Sequence, residues 1–251
     1  MSQTACPPFS LRRPWLAGAF LLATLPAHAV HLHLTTESAP PSSILKDGVV
    51  IGHATEKIRM MMARAKVTVD IEMLPWQRAY QLALLHPDTC VYDTTRTPER
   101  EASFKWIGPI AVTDWNLYGL AARKLQLNTL DQARPYKIGT YLSDATEQFL
   151  LNRGFKVESV ANDALNPGKL MTQRIDLWAA SPIRAAMLMK RAGVGEQIVP
   201  VLTFNHVQLW LACNPAVPTT LIEQLSGILQ AMQRDGSAKA IDDKYARWPL
   251  P

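Results

Sequence analysis

The chain has 251 residues, 48% of them hydrophobic and 19% charged, a composition that supports a packed interior and excludes an acidic, aromatic-poor disordered protein. Lys and Arg number 26 against 21 for Asp and Glu, and they are scattered, with no basic run to track a phosphate backbone, which argues against nucleic acid as a partner. One or two domains are expected at this length.

Residues 1–29 read as an export signal. Arg12 and Arg13 form its basic part, Trp15 to Leu25 its apolar part, and Ala27-His28-Ala29 a small-x-small cleavage site. The apolar run is far shorter than the about 20 residues that span a bilayer, and Pro26 ends it. A soluble, exported, periplasmic protein starting near Val30 is expected. Its formal charge falls from +5 to +3 with the loss of Arg12 and Arg13. Cys90 and Cys213 then lie in a compartment where disulfides form. They lack the paired spacing of a zinc site, and His31 with His33 has no third ligand, so neither a metal centre nor a cofactor is expected.

Leu32 to Thr36 predicts a first strand, which Ala39-Pro40-Pro41-Ser42 breaks into a loop. Asp47-Gly48 is a tight-turn pair, and Gly52 precedes a helix carrying Ile58, Met61, Met62 and Ala65 at core spacing. Val67, Val69, Ile71 and Met73 alternate as a strand; Pro75 then opens a helix whose expected buried stripe is Tyr80, Leu84 and Leu85. Cys90-Val91-Tyr92 is a short strand leading into Thr94-Thr95-Arg96-Thr97-Pro98-Glu99-Arg100.

After Ile107-Gly108-Pro109-Ile110, a strand-like stretch holds Trp115, Leu117 and Tyr118. Lys137 to Thr140 is a strand, and Asp144-Ala145-Thr146-Glu147 has capping-box spacing for a helix that Gly154 closes. Phe155 to Val160 and Asp176 to Ala180 are strands around a short helix at Gly168 to Gln173, and Ser181-Pro182 caps the next helix. Val207 to Ala212 forms a strand, followed by a helix with Leu221, Leu225, Ile228, Leu229 and Met232 on one face and a last helix with Ile241 and Tyr245. Two consecutive alternating units predict two α/β lobes with largely parallel sheets.

This order of elements resembles solute-binding protein family 3, the periplasmic amino-acid-binding proteins of ABC importers. The resemblance rests on the Pro-Pro loop after the first strand, Asp47-Gly48 with Gly52, and Leu74-Pro75-Trp76. It rests further on Thr95-x-Thr97-x-x-Arg100 followed by Phe104 to Pro109, Arg174-Ile175-Asp176, and Asp235-Gly236. It implies a type II periplasmic binding protein fold, with two lobes joined by two crossover strands and the C-terminal segment returning to the first. Lobe one is expected at residues 30–112 and 206–251, lobe two at 113–205, with a ligand in the cleft between them.

By the same resemblance, Arg100 matches the arginine that clamps a ligand carboxylate with its planar fork of donors, and Thr95 adds a hydroxyl or backbone donor. Two positions depart from the family. Ala39 to Ser42 lacks the aromatic that stacks on the ligand, and the acid that pairs with an α-ammonium falls, by spacing from Asp176, at Ser181. Asp144 either caps its own helix or supplies that missing charge. Glu37 ends the first strand, where it faces either the cleft or solvent, and Trp76 offers stacking area or ordinary packing.

The resemblance thus implies a non-catalytic, monomeric protein that captures an amino acid or related carboxylate for an inner-membrane ABC permease. Two alternatives are a periplasmic enzyme of the same fold, such as a dehydratase using Glu37 or Asp144, and a free-standing ligand sensor. The family's sheet also places the strands of Cys90 and Cys213 side by side, as a disulfide or as two buried thiols.

Overall fold

The computed structural model describes residues 1–2 and 30–248; the basic, apolar and cleavage parts of the expected export signal lie outside them. In chain order come β1 (His31–Thr36), a hairpin of β2 (Ile44–Lys46) and β3 (Val49–Ile51), α1 (His53–Ala65), β4 (Thr68–Met73), α2 (Trp76–Leu85), β5 (Thr89–Thr95) and β6 (Lys105–Leu120). The second series is β7 (Lys137–Tyr141), α3 (Ala145–Asn152), β8 (Lys156–Val160), α4 (Asn166–Met171), β9 (Leu177–Ala180), α5 (Pro182–Ala192), β10 (Ile198–Cys213), α6 (Thr219–Arg234) and α7 (Ser237–Tyr245). Among the described residues no helix is long and apolar enough to cross a membrane.

Eight strands form one sheet in the order β4-β1-β5-β10-β6-β9-β7-β8. The outer pairs are parallel, but β10 runs antiparallel to both β5 and β6, and β6 antiparallel to β9. The sheet is therefore mixed, where the alternation of strands and helices predicted largely parallel pairing. The reason lies in the two crossing strands. β6 and β10 pair from Lys105↔Cys213 to Leu120↔Ile198, while β5 flanks only the Cys213 end of β10 and β9 flanks β6 only at Asn116–Tyr118. One ladder thus serves both lobes. The expected strand at Val207 to Ala212 is the last part of this element, which starts at Ile198. Its first part holds Pro200 and lacks the clean apolar alternation of a half-buried strand, so pairing with β6 sets it.

Each lobe has its own core. Leu32 and Leu34 of β1 pack with Ile58, Met61 and Met62 of α1 and with Leu225, Leu229 and Met232 of α6, so the C-terminal helices cover the first lobe. The second lobe centres on Trp178, Leu170 and Ile198, and on Ile138, Leu150 and Leu177. In α2 the buried residues are Trp76, Ala79 and Ala83, and Leu85 is 70% exposed. The expected stripe of Tyr80, Leu84 and Leu85 is rotated because the two alanines admit the helix close to β1 and β5, with Tyr80 and Leu84 filling the flank.

Cys90 and Cys213 face each other in register, with Cα atoms 3.9 Å apart, and form a disulfide. Of the two open alternatives, the structure takes the cross-link, which ties the end of β10 to β5. Gly52 shapes the wall of the cleft. Its φ of +127° suits glycine, and a Cβ there would lie 2.1 Å from the Ser42 carbonyl oxygen. The loop Pro41-Ser42 can therefore lie against the start of α1, where the His53 N–H donates to the Pro41 carbonyl at 3.0 Å.

Candidate ligand-binding site

The C-terminal ends of β1, β5, β7 and β9 and the N-termini of α3 and α5 converge on a cavity of ≈130 Å³ between the lobes. Such strand ends and helix N-termini present unpaired backbone donors and short loops to a ligand. The first lobe lines the cavity with Glu37, the loop Ala39 to Ser42, His53, Asp93 and Thr95; the second lobe lines it with Tyr141, Asp144, Asp163, Ser181 and Arg184. Trp115, on β6 where it passes between the lobes, supplies an aromatic wall that the Ala39 to Ser42 loop lacks. It is held edge-on against Phe149, with centroids 5.3 Å apart.

Arg184 is the one Lys or Arg among the described lining residues. It sits in the first turn of α5, where Ser181 caps the helix by accepting the Arg184 N–H at 3.4 Å and Pro182 starts it. Its guanidinium pairs with Glu37 across the cleft, lies 3.8 Å from the Asp163 carboxylate, and packs 5.2 Å from the centre of the Tyr141 ring. Burial opposes its charge, but Glu37, Asp163, Asp144 and Tyr141 together raise its pKa.

The acids around it differ in environment. Burial pushes Glu37 up to about 7, against the pull of Arg184 and with the push of Asp144 and Asp163. Asp163 is also raised by burial, although it accepts from Trp178 Nε1 at 3.0 Å and Asn166 Nδ2 at 2.8 Å. Asp144 caps α3 by taking the Thr146 N–H at 2.7 Å, while Glu147 takes the Ser143 N–H at 2.6 Å, one residue earlier than a capping box requires. Asp144 nonetheless lines the cavity, so capping and facing the cleft are compatible. On the first-lobe side, Asp93 accepts from the Ser42 and Ser43 hydroxyls, and burial raises its pKa. Burial, with the nearby Lys57 charge, lowers the pKa of His53 against the pull of Asp93 and Asp242.

Of the six expected site residues, Thr95, Glu37, Asp144 and Ser181 line the cavity. Arg100 and Trp76 do not. Arg100 is 2% exposed, donates from Nε to Gln148 at 3.1 Å and from Nη2 to the Ser143 carbonyl at 3.0 Å, and stacks 4.9 Å from the centre of Tyr80. Trp76 donates from Nε1 to the same Ser143 carbonyl at 2.9 Å and through its backbone N–H to the Tyr141 hydroxyl at 3.3 Å. These first-lobe donors hold a second-lobe loop. The clamp expected at Arg100 is therefore corrected: the residue lies outside the cavity lining, and its Nε and Nη2 donate to the opposite lobe. The sequence reading missed Arg184, Asp163, Asp93 and Tyr141. The proline-initiated turn Ser181-Pro182 was the available signal for Arg184, since it aims the next residues at a strand end.

This contact predicts the effect of Arg100→Ala. Removing two donors across the lobes should shift the closed arrangement toward the open one by roughly thirtyfold, on the basis of about 1 kcal/mol for each of the two hydrogen bonds. Small-angle scattering should show a larger radius of gyration for the ligand-free variant, and an unchanged radius would count against a closing role.

Two α/β lobes, crossed by a pair of strands and closed on a charged polar cavity, define a two-lobed solute-binding protein. The chain belongs to the bacterial extracellular solute-binding proteins, family 3, whose model matches residues 32–247. A histidine kinase sensor domain similar to periplasmic binding proteins superposes with a TM-score of 0.76 at 14% identity, covering 88% of this chain and 98% of that one. An ancestral arginine-binding protein bound to arginine gives 0.72 at 19% identity, covering 87% and 100%. An ancestral amino-acid-binding protein that is a precursor of cyclohexadienyl dehydratase gives 0.68 at 19% identity, covering 86% and 95%, and all three likenesses, each under 20% identical, are of fold alone. No curated protein matches by sequence.

Proposed function

We propose that this protein captures a small amino acid or related carboxylate in the periplasm and delivers it to an inner-membrane ABC permease, after export directed by residues 1–29. The observation that carries this reading is Arg184, a guanidinium held in a closed inter-lobe cavity beside three carboxylates. A ligand carboxylate takes the place of Glu37 on Arg184, while Glu37, Asp144 and Asp163 receive an ammonium. Thr95 and Ser181 offer neutral hydroxyls at the two sides. In this reading lobe one comprises residues 30–112 and 206–251 and lobe two 113–205, so closure occurs about β6 and β10.

The test is a thermal-shift screen of the twenty common L-amino acids and small carboxylates. A ligand at a hundredfold excess over its dissociation constant adds about 2.7 kcal/mol, which at this size raises the melting temperature by roughly 5 to 10 °C. A screen without any shift would overturn the reading.

One observation favours a second reading. Glu37 is a buried carboxyl with a pKa near neutrality beside a guanidinium, the arrangement of a general acid. Prolonged incubation of each hit, followed by mass spectrometry, separates the two: intact ligand supports capture, and steady conversion supports an enzyme.

A further inference from the structure

Glu37 enters the cavity from the end of β1 and reaches across the cleft to Arg184 of α5. The other charged or titratable groups that face it come from the second lobe: Asp144 at the cap of α3, Asp163 before α4, and Tyr141 at the end of β7. One guanidinium therefore serves three carboxylates. A ligand carboxylate that takes Arg184 adds a fourth and leaves Glu37 among like charges in a buried site, where an unpaired charge is costly.

We propose that Glu37 sets the charge the cavity admits: a carboxylate reaches Arg184 only together with one positive charge, either an ammonium on the ligand or a proton that Glu37 takes from solvent. Glu37 is then a specificity-determining residue. With an amino acid, the displaced Glu37 pairs with the ammonium and stays ionised. With a carboxylate lacking the amine, Glu37 takes one proton from solvent onto its own carboxyl oxygen and becomes a neutral acid, which offsets the charge the ligand brings. The burial that raises Glu37 toward neutrality makes the second route accessible near pH 7 and closes it as pH rises. This proposal rests on the reading of the cleft as the ligand site.

The probes are matched pairs: L-alanine and propionate, L-leucine and 4-methylpentanoate, L-glutamate and glutarate, L-arginine and 5-guanidinopentanoate. Isothermal titration calorimetry in two buffers of different ionisation enthalpy reads affinity and proton uptake together. In a pair that binds, the compound without the amine should take up about one proton and lose about tenfold in affinity from about pH 7.5 to about 8.5. Its amino acid should show neither effect over that range. Glu37→Gln should abolish both the uptake and the slope. The proposal is overturned if the wild-type protein binds the amine-free compound without proton uptake, if that compound fails to bind even near pH 6, if the slope survives in Glu37→Gln, or if no pair binds. Arg184→Ala separates the two levels: unchanged affinity there removes the site itself, whereas lost affinity with no proton uptake in the wild type removes only the role of Glu37.

Discussion

Arg184→Ala is expected to weaken binding of any carboxylate ligand at least a hundredfold, with Arg184→Lys falling between it and the wild type. The reason is geometric as well as electrostatic. A guanidinium offers a rigid fork of donors that meets both carboxylate oxygens, and a lysine ammonium replaces the charge without the fork. Alanine also leaves Glu37 and Asp163 in the cavity without the cation that both face. Removing one partner of a buried pair commonly costs about 3 to 5 kcal/mol, and here the cost is reduced because Glu37, with a pKa near neutrality, takes up a proton instead of standing as a bare charge. Calorimetric titration measures the affinity, and a melting curve of the ligand-free variant separates lost binding from lost folding. A folded Arg184→Ala variant that binds as the wild type does would move the ligand elsewhere.

The second large effect concerns stability. Breaking the Cys90–Cys213 bond, by Cys213→Ser or by reduction, is expected to lower stability by about 2 to 5 kcal/mol. The bond joins residues 123 apart in sequence, so it removes a long loop's worth of freedom from the unfolded chain. Each kcal/mol corresponds to about 2 to 4 °C in melting temperature at this size. Ligand affinity should change little, since neither cysteine lines the cavity. Counting thiols in denatured, unreduced protein that lacks residues 1–29 gives an independent check: no reactive thiol agrees with the bond, and two oppose it.

Much of the architecture was legible in short patterns. Leu32 and Leu34 alternate because one face of β1 meets the core, and Ile58, Met61 and Met62 recur at helical spacing because one face of α1 does. Asp47-Gly48 reads as a tight turn because both residues adopt the left-handed backbone it demands, with φ of 50° and 76°. The buried face of α2 was not legible, since alanine carries little hydrophobic signal and the fit of Ala79 and Ala83 depends on how near the sheet lies. Nor was the full length of β10, whose first part owes its conformation to β6 rather than to its own pattern.

The site divides in the same way. Thr95, Glu37, Asp144 and Ser181 lie at the ends of strands or the starts of helices and line the cavity; the family resemblance pointed to Thr95 and Ser181, whereas for Glu37 and Asp144 the sequence left the cleft as one of two alternatives. Arg100 and Arg184 were different. Both are arginines near an element boundary, and nothing local says which one meets a ligand. In the folded chain Arg100 lies beneath Tyr80 and is taken by Ser143 and Gln148, whereas Arg184 is carried on α5 to face Glu37. The sequence by itself determined two alternating α/β units, their turns and most of their buried faces, because those depend on neighbours a few residues away. Only the tertiary structure decided which arginine points into the cavity and that Cys90 meets Cys213, because each depends on groups distant in sequence that packing and pairing of the strands bring within a few ångströms.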